Sequence, residues 1–290
     1  MLTRRPGLGR QKLERRSYHK LLEVGNVSDV GSETTIELLG PLSVRVNRTP
    51  VMPAAAKPRQ VLALLALNAG RVVTVSSLID ELWGDRAPLS ALTTLQTYIL
   101  ESRRQIAAAL GPGQDPKRLL RTQLNGYLLD FQAGRIDVRD FERLAQSGRA
   151  AAERGDHRNA AEILSQALAL WRGAALVDVR KGRILEPEAT ALEEARLAVL
   201  GRRLESDLVL GRHADILGEL TALAARYPLN EKLSALLITA LYRTGHTGRA
   251  LEAFHQLRSS LVTELGIEPS AQLQRLQHAV LSRDPSLDAA

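Results

Sequence analysis

The sequence predicts an α+β winged-helix domain followed by an all-α, tetratricopeptide-like domain of helical repeats. Three observations support this prediction. Two runs of alternating hydrophobic residues precede three helical segments and a hairpin signal. Helical periodicity then continues from residue 137 almost to the end, with two similar turns 34 residues apart. The formal net charge of +7 arises entirely within residues 1–131, which indicates a basic part that faces a polyanion and a neutral part that faces protein.

Composition narrows the class of protein further. The 290 residues, 44% of them hydrophobic, are enough for two domains. Because the sequence contains no cysteine, disulfides and thiolate zinc sites are excluded and an intracellular protein is favoured. No hydrophobic run approaches the roughly 20 residues of a membrane span, and no hydrophobic run follows Arg4-Arg5 as an export signal would require. We therefore expect a cytoplasmic, nucleoid-associated protein without a membrane partner.

Residues 1–34 are polar and lack a sustained hydrophobic period, which predicts a disordered basic lead. The first domain is expected over residues 35–131. It should begin with two half-buried strands, because hydrophobic and polar residues alternate there with a period of two. The hydrophobic positions of these strands are Ile36, Leu38, Leu42, Val44 and Val46.

Two helices should follow the strands. In "KPRQVLALLALNAG", Pro58 suits the first position of a helix and Gly70 suits a terminator. In "TVSSLIDELWG", Thr74 suits the N-cap and Gly84 suits the stop. The hydrophobic face of this second helix is predicted to contain Leu78, Ile79 and Leu82, and Trp83 is expected to fill the core rather than to bind a ligand.

The third helix, in "SALTTLQTYILESRR", has two contrasting faces. Its core face is predicted to contain Leu92, Leu95, Ile99, Ile106 and Leu110. The opposite arc contains Thr93, Thr97, Leu100, Glu101 and Arg104, with Thr94 at its edge. Short side chains that carry a hydroxyl and a methyl group suit close approach to base edges, and the Arg103-Arg104 pair can reach phosphates or guanine. This face is therefore predicted to bind DNA.

A hairpin completes the first domain. "LLRTQLNGYLLDF" contains two extended runs joined by Asn125-Gly126, a strong turn signal. Strands, three helices and a hairpin, in that order, predict a winged helix whose second and third helices form a helix-turn-helix. The loop between these helices, residues 84–89, would lie beside the DNA and could contact a second protein.

The second domain is expected over residues 137–285, beginning with Asp137 as an N-cap. Similar turns recur in "GDHRNA", "GRHADI" and "GHTGRA", and small residues are expected where helices cross. Stacked helix pairs bury a shared core and leave a groove for binding. The segment 177–190 breaks the pattern and is expected to loop out. The small residues at the predicted crossings are Ala160, Ala250 and Ala253.

No motif for catalysis is present. The sequence has neither a phosphate-binding loop nor a serine nucleophile elbow, so we expect no enzyme and no cofactor. His157, His213 and His246 occupy the three repeat turns without metal-ligand spacing, and solvated turn histidines are favoured over a metal site. Trp171, like Trp83, is predicted to fill a core.

The motifs together resemble one known family. Between residues 35 and 285 the chain contains, in order, "IELLGPLSVRV", "KPRQVLALLALNAGRVVTVSSLIDELWG", "SALTTLQTYILESRR", "LLRTQLNGYLL", "VRDFERL", "ALALWRG" and "LYRTGHTGRALEAFHQLRSSLVTELGIEPS". This ordered set resembles the short form of the Streptomyces antibiotic regulatory protein family. The resemblance implies an OmpR/PhoB-type winged helix and a bacterial transcriptional activation domain. It further implies an activator of secondary-metabolite gene clusters that binds direct repeats near the −35 element of a promoter.

The resemblance also implies roles for residues. Residues 90–104 would form the recognition helix, residues 119–129 the wing, and Lys57 and Arg59 would lie near the phosphate backbone. The partners would be double-stranded DNA, a second copy of the chain on DNA, and the sigma and alpha subunits of RNA polymerase. The expected DNA-binding residues are Lys57, Arg59, Ser90, Thr93, Thr94, Thr97, Glu101, Arg103, Arg104, Arg121, Thr122 and Asn125. The expected polymerase contact loop is Gly84, Asp85, Arg86, Ala87, Pro88 and Leu89.

Two residues depart from the family pattern. Glu101 places an acid where a basic or neutral residue is usual, and Gln123 replaces a common arginine of the wing. Glu101 could accept a hydrogen bond from cytosine N4, but it would repel a phosphate. Two other functions fit the same fold: a tetratricopeptide adaptor whose winged helix binds protein, and a ligand-gated sensor with a cavity in the helical domain.

Overall fold

A computed structural model describes residues 34–130 and 134–287, so the predicted disordered lead lies outside the described residues apart from Thr34. Seven strands within these ranges form two sheets. The first sheet, of order β3-β2-β1-β7, contains β1 (Thr34–Glu37), β2 (Ser43–Val46), β3 (Thr49–Pro50) and β7 (Arg135–Ile136). The second sheet, of order β4-β6-β5, contains β4 (Val72–Thr74), β5 (Leu120–Gln123) and β6 (Gly126–Leu129). All five predicted strand positions, from Ile36 to Val46, are buried.

Three helices lie between β3 and β5 in sequence: α1 (Ala56–Leu67), α2 (Val75–Trp83) and α3 (Ala91–Leu110). The Thr74 hydroxyl caps α2 by accepting the N–H of Ser77 at 3.1 Å, as predicted. Gly70 and Gly84 both have positive φ, which confirms them as turn residues after helices. Pro58 was expected to begin α1 but is its third residue, where its missing N–H is still among those without a partner within the helix.

Seven helices form the second domain: α4 (Asp137–Glu153), α5 (His157–Leu168), α6 (Leu185–Val209), α7 (His213–Arg226), α8 (Glu231–Arg243), α9 (Thr247–Leu265) and α10 (Ala271–Ser282). The three repeated turns join α4 to α5, α6 to α7 and α8 to α9, as the repeat pattern predicts. Ala160 and Ala250 are fully buried and Ala253 packs against the core. Gly148 has the same role, because a Cβ there would lie 2.6 Å from Leu164. Within the described residues, no helix is long and apolar enough to cross a membrane.

Asp137 joins the two domains and does not cap its own helix. It is the first residue of α4, and its carboxylate accepts the N–H groups of Leu38 and Leu39 at 2.9 Å. Burial raises the pKa of Asp137, and these hydrogen bonds oppose that effect. The predicted N-cap role was wrong because the acceptor is used by the end of β1, almost 100 residues earlier in the sequence.

Segment 177–190 does not loop out, contrary to the prediction. Its first part belongs to an irregular connection, residues 174–184, that we call the strap, and its last residues begin α6. Leu176 and Val179 of the strap are buried in the hydrophobic core of the winged helix, together with Leu185. Apolar burial therefore holds the strap against the first domain.

The burial of the two tryptophans and of the three turn histidines agrees only in part with the predictions. Trp171 is buried and packs edge-to-face on Phe141, with 5.5 Å between ring centroids, as predicted for a core residue. Trp83 is half-buried and packs against the core of the winged helix. His157 and His213 are also half-buried, and their Nδ1 atoms are buried without a hydrogen-bond partner, so the expectation of solvated turns holds only for the exposed His246.

Candidate nucleic-acid interface

Helix α3 presents an exposed polar face. Thr93, Thr97 and Arg104 are exposed, and Thr94 and Glu101 are half-buried at its edges. The hydroxyl of Thr97 donates to the carbonyl oxygen of Thr93 at 3.1 Å, which commits its proton and leaves the oxygen to accept. The face therefore offers methyl groups, a hydroxyl acceptor and a guanidinium to whatever approaches it.

The opposite face of α3 holds the helix on the core. Leu95, Ile99 and Ile106 are buried as predicted, and Leu110 packs at the margin. Leu92 is 49% exposed, so its assignment to the core was wrong. It lies at the edge of the buried face of α3, which in this first turn is occupied by Ala91. Ser90 precedes the helix, is exposed and makes no side-chain cap hydrogen bond.

The wing is the β5–β6 hairpin, and its register moves the predicted turn by one residue. Gln123 pairs with Gly126, so Leu124 and Asn125 form the turn. Asn125 has φ of 59°, in the left-handed region that asparagine tolerates. Gly126 belongs to β6 and faces β4 so closely that a Cβ would collide with the carbonyl oxygen of Val73. Asn125-Gly126 is thus a correct hairpin signal with the wrong register.

Arg103 joins α3 to the wing. Its guanidinium donates to the carbonyl oxygen of Leu120 through Nε at 3.0 Å and through a terminal nitrogen at 2.8 Å. The same terminal nitrogen is 2.8 Å from the hydroxyl of Thr122. Arg103 was expected to face DNA, whereas these hydrogen bonds direct its guanidinium to β5. Arg104, its neighbour, is the arginine of the pair that is exposed.

Basic residues surround the base of the wing. Arg121 forms an ion pair with Asp130 at 2.9 Å and donates to the carbonyl oxygen of Arg118 at 3.2 Å. A 3-10 turn, Pro116–Arg118, precedes β5 and exposes Lys117 and Arg118. With Arg103 and Thr122 these side chains line a depression of about 440 Å³. Lys117 and Arg118 were absent from the predicted site, although the "PKR" before the wing was a readable signal of positive charge.

Lys57 and Arg59, at the start of α1, do not line the depression at the base of the wing. Arg59 donates to Asp178 of the strap at 3.0 Å and to the carbonyl oxygen of Pro53 at 3.3 Å. The ammonium group of Lys57 lies 4.5 Å from the ring centroid of Trp83, a cation–π contact. The expectation that Arg59 faces phosphate is therefore corrected, because its charge is used between the domains.

The loop between α2 and α3 is highly exposed, and the strap of the second domain contacts it. Residues 84–86 form a 3-10 turn, residues 85–89 are exposed, and Leu89 is exposed to its full extent. Arg183 of the strap forms a bidentate ion pair with Asp85 and also reaches Asp80 at 3.4 Å. Hydrogen bonding to Arg183 lowers the pKa of Asp85.

Comparison with known proteins identifies both domains. Residues 51–129 match the family model "Transcriptional regulatory protein, C terminal", and residues 136–281 match "Bacterial transcriptional activator domain". The solved structure of Mycobacterium tuberculosis EmbR in complex with a low-affinity phosphopeptide aligns with a TM-score of 0.81 at 33% identity, covering 89% of this chain and 68% of that one. The predicted fold class, an OmpR/PhoB-type winged helix followed by a helical-repeat domain, is confirmed.

Two curated relatives come from Streptomyces. The chain is 56% identical over 255 residues to the regulatory protein DnrI of Streptomyces peucetius, which covers 87% of this chain and 94% of DnrI. It is 37% identical over 257 residues to the transcriptional regulator RedD of Streptomyces coelicolor, which covers 89% of this chain and 73% of RedD. Both domains, in the same order and over most of both proteins, are shared with DnrI. The chain therefore belongs to the Streptomyces antibiotic regulatory protein family of transcriptional activators.

Proposed function

We propose that the chain is a sequence-specific DNA-binding activator of a secondary-metabolite gene cluster. In this proposal it binds direct repeats near the −35 element as a homodimer and recruits RNA polymerase through the sigma and alpha subunits. One observation carries the DNA-binding part: Thr93, Thr97 and Arg104 form an exposed face of α3 beside a basic wing. The proposal includes no catalytic step and no cofactor.

Helix α3 would enter the major groove with its threonine face toward the base edges. Because Thr97 has committed its proton to the backbone, its oxygen would accept from the amino group of adenine or cytosine. Threonine methyl groups would pack on the C5-methyl group of thymine. The half-buried Glu101 is acceptor-only, so within the groove it would favour the amino group of cytosine. Arg104 would reach guanine or a phosphate.

The wing would contact the adjacent minor groove and backbone. Lys117, Arg118 and Arg121 would supply positive charge at its base, and Thr122 and Asn125 would follow along the hairpin. Phosphate contacts of this kind fix the register of a protein on DNA without reading sequence. The hydrogen bonds of Arg103 to β5 would hold the wing at a fixed angle to α3, so that both elements engage DNA together.

Loop 84–89 would contact polymerase once α3 is docked. It leads directly into the recognition helix, and it is exposed from Asp85 to Leu89. Leu89 gives this exposed loop an apolar side chain that a protein partner would cover. Direct repeats would place two copies of the chain in the same orientation, so that each copy presents the same loop.

Footprinting on the promoters of the neighbouring gene cluster, with and without purified polymerase, tests the proposal. We expect protected direct repeats, and a footprint that polymerase extends. The double variant Thr93→Ala/Thr97→Ala should lose specific protection. Thr221→Ala is the matched control, because Thr221 is an exposed helical threonine with the same hydrogen bond to the carbonyl four residues earlier. No protection at low salt by the folded protein would instead favour the adaptor function.

The sensor alternative depends on the helical domain. Two grooves there have volumes of about 430 and 630 Å³. The larger is lined by Leu236, Leu273 and Leu276 together with the charged Glu205 and Lys232. Loss or gain of DNA affinity on adding a small metabolite of the regulated pathway would support this alternative, whereas an unchanged affinity would leave the activator proposal as it stands.

A further inference from the structure

The strap is fixed to the winged helix at two points. Toward its middle, the carboxylate of Asp178 accepts the N–H of Leu42 at 2.7 Å and pairs with Arg59 at 3.0 Å. At its end, the carboxylate of Glu81 in α2 accepts the N–H groups of Gly182 at 2.7 Å and of Ile184 at 2.8 Å. The residues between these points, 179–181, are therefore held in one position on the surface of the first domain.

Glycine at position 182 permits this close approach. A Cβ on Gly182 would collide with the carbonyl oxygen of Glu81, so only glycine lets the strap pass so near to α2. The next residue, Arg183, then reaches the loop between α2 and α3 and pairs with Asp85 and Asp80. The side chain of Arg183 also lies 3.3 Å from where a Cβ of Gly84 would be. The strap and loop 84–89 thus form one continuous surface.

This loop–strap surface, residues 84–89 and 180–183 with Asp80, is basic. Its four basic side chains and two carboxylates leave a net charge of +2. Arg183 pairs with both carboxylates of this surface, whereas Arg86, Arg180 and Lys181 form no ion pair within the described part of the chain. Covalent geometry keeps the Cα of Arg180 within roughly 11 Å of that of Arg183. Without the strap, the loop alone would carry one acid and one base.

We propose that the strap of the helical domain completes the polymerase contact surface, and that its occupant is an acidic, partly apolar segment of an RNA polymerase subunit. Arg180 and Lys181 would attract the carboxylates of that segment, and the fully exposed Leu89 would be covered by its apolar side. This inference rests on the proposed function of loop 84–89. It adds that the helical domain contributes directly to the same contact.

The test uses the full chain, promoter DNA and purified polymerase, and it measures DNA affinity and polymerase-dependent transcription separately. For the charge-reversed variant R180E/K181E, we expect DNA affinity within about twofold of the wild type and a loss of roughly tenfold in activated transcription. The loss should shrink as salt rises, because exposed charges are screened. R249E/R275E is the matched control, since Arg249 and Arg275 are exposed basic residues on α9 and α10. Unchanged DNA affinity also shows that the variants are folded.

Two outcomes would overturn the inference. Activation equal to that of the R249E/R275E control would remove the strap from the contact. A parallel fall in DNA affinity, with a smaller dependence on salt, would show that Arg180 and Lys181 face DNA phosphates instead. The loop variant R86E separates this inference from the proposed function. If R86E also activates normally, the polymerase contact of the loop itself fails; if only R86E is defective, the loop acts without the strap.

Discussion

The backbone N–H of Leu185 donates a hydrogen bond of 3.0 Å to the carboxylate of Glu81, 104 residues earlier in the chain. Glu81 is only 3% exposed, and its carboxylate also accepts from the side chain of Gln60 at 2.7 Å. Leu185 is the first residue of α6, a helix of 25 residues. A carboxylate of the winged helix therefore satisfies the first turn of a helix in the other domain, where negative charge also complements the helix dipole.

Replacing Glu81 with alanine should destabilise both domains together. The change removes the acceptor of the buried Leu185 N–H and of the half-buried Gly182 and Ile184 N–H groups. A buried donor without an acceptor costs about 1–3 kcal/mol, and a half-buried one costs less. We expect a loss of roughly 3 kcal/mol or more in the free energy of unfolding, measured by urea denaturation. Glu142→Ala, at an exposed position of α4, is the control and should change little. A stability equal to that of the control would show that the strap is not held by Glu81.

Local signals in the sequence predicted the elements well, and contacts between distant residues limited the rest. Thr74 and Gly84 follow from cap and terminator chemistry that depends on neighbouring residues alone, and the structure confirms both. The strap could not be predicted, because Glu81 and Gly182 are 101 residues apart and no periodicity connects them. The partner of Arg59, 119 residues away, was missed for the same reason.

The candidate site shows the same contrast between local signals, which were read correctly, and contacts with other elements, which were missed. The period of 3.6 residues placed Thr93, Thr97 and Arg104 correctly on the exposed face of α3. Period alone does not fix where the edge of the buried face lies, so Leu92, at that edge, was misplaced. Nor does it reveal a partner on another element, so the hydrogen bonds of Arg103 to Leu120 were not expected.

Alanine substitutions of Leu92 and Leu95 test whether Leu95, and not Leu92, belongs to the core face of α3. Leu95 is fully buried, so Leu95→Ala should cost about 2–5 kcal/mol through lost burial and a cavity. Leu92→Ala should change the free energy of unfolding by no more than about 0.5 kcal/mol, because half of the Leu92 side chain is already in water. Equal losses in chemical denaturation would mean that Leu92 is packed in solution as the sequence pattern first indicated.

His213 should make the helical domain sensitive to acid. Burial, followed by the charge of Arg243, lowers the pKa of His213 from its ordinary 6.5, so folding favours the neutral ring. A depressed pKa contributes stability above the unfolded value of 6.5, and this stability is lost as pH falls through the folded value. His213→Asn should therefore show a smaller fall in melting temperature than the wild type between about pH 7.5 and pH 5.

The control for His213 is His278→Asn, because His278 is exposed on α10. Its melting temperature should follow the wild type across the same pH range. If His213→Asn keeps the full acid sensitivity of the wild type, the titrating group lies elsewhere and the burial of the His213 ring has no effect on stability.

Arg103 and Arg104 are adjacent, yet their substitutions should act on DNA binding in different ways. Arg104→Ala should weaken binding and reduce the slope of log affinity against log salt by about 1, as expected for the loss of one phosphate contact. Arg104→Lys should restore the slope, since an ammonium group still neutralises a phosphate. Arg103 instead holds β5 through two guanidinium nitrogens, a geometry that lysine does not reproduce.

We therefore expect Arg103→Lys and Arg103→Ala to weaken binding to a similar extent, because both release the wing from α3. Both variants should lose the same wing contacts. The slope of log affinity against log salt should therefore fall by the same amount in both. Fluorescence anisotropy over a salt series distinguishes the two positions. Rescue of affinity by Arg103→Lys would contradict the assignment, since it would mean that Arg103 acts through its charge on DNA and not through the carbonyl oxygen of Leu120.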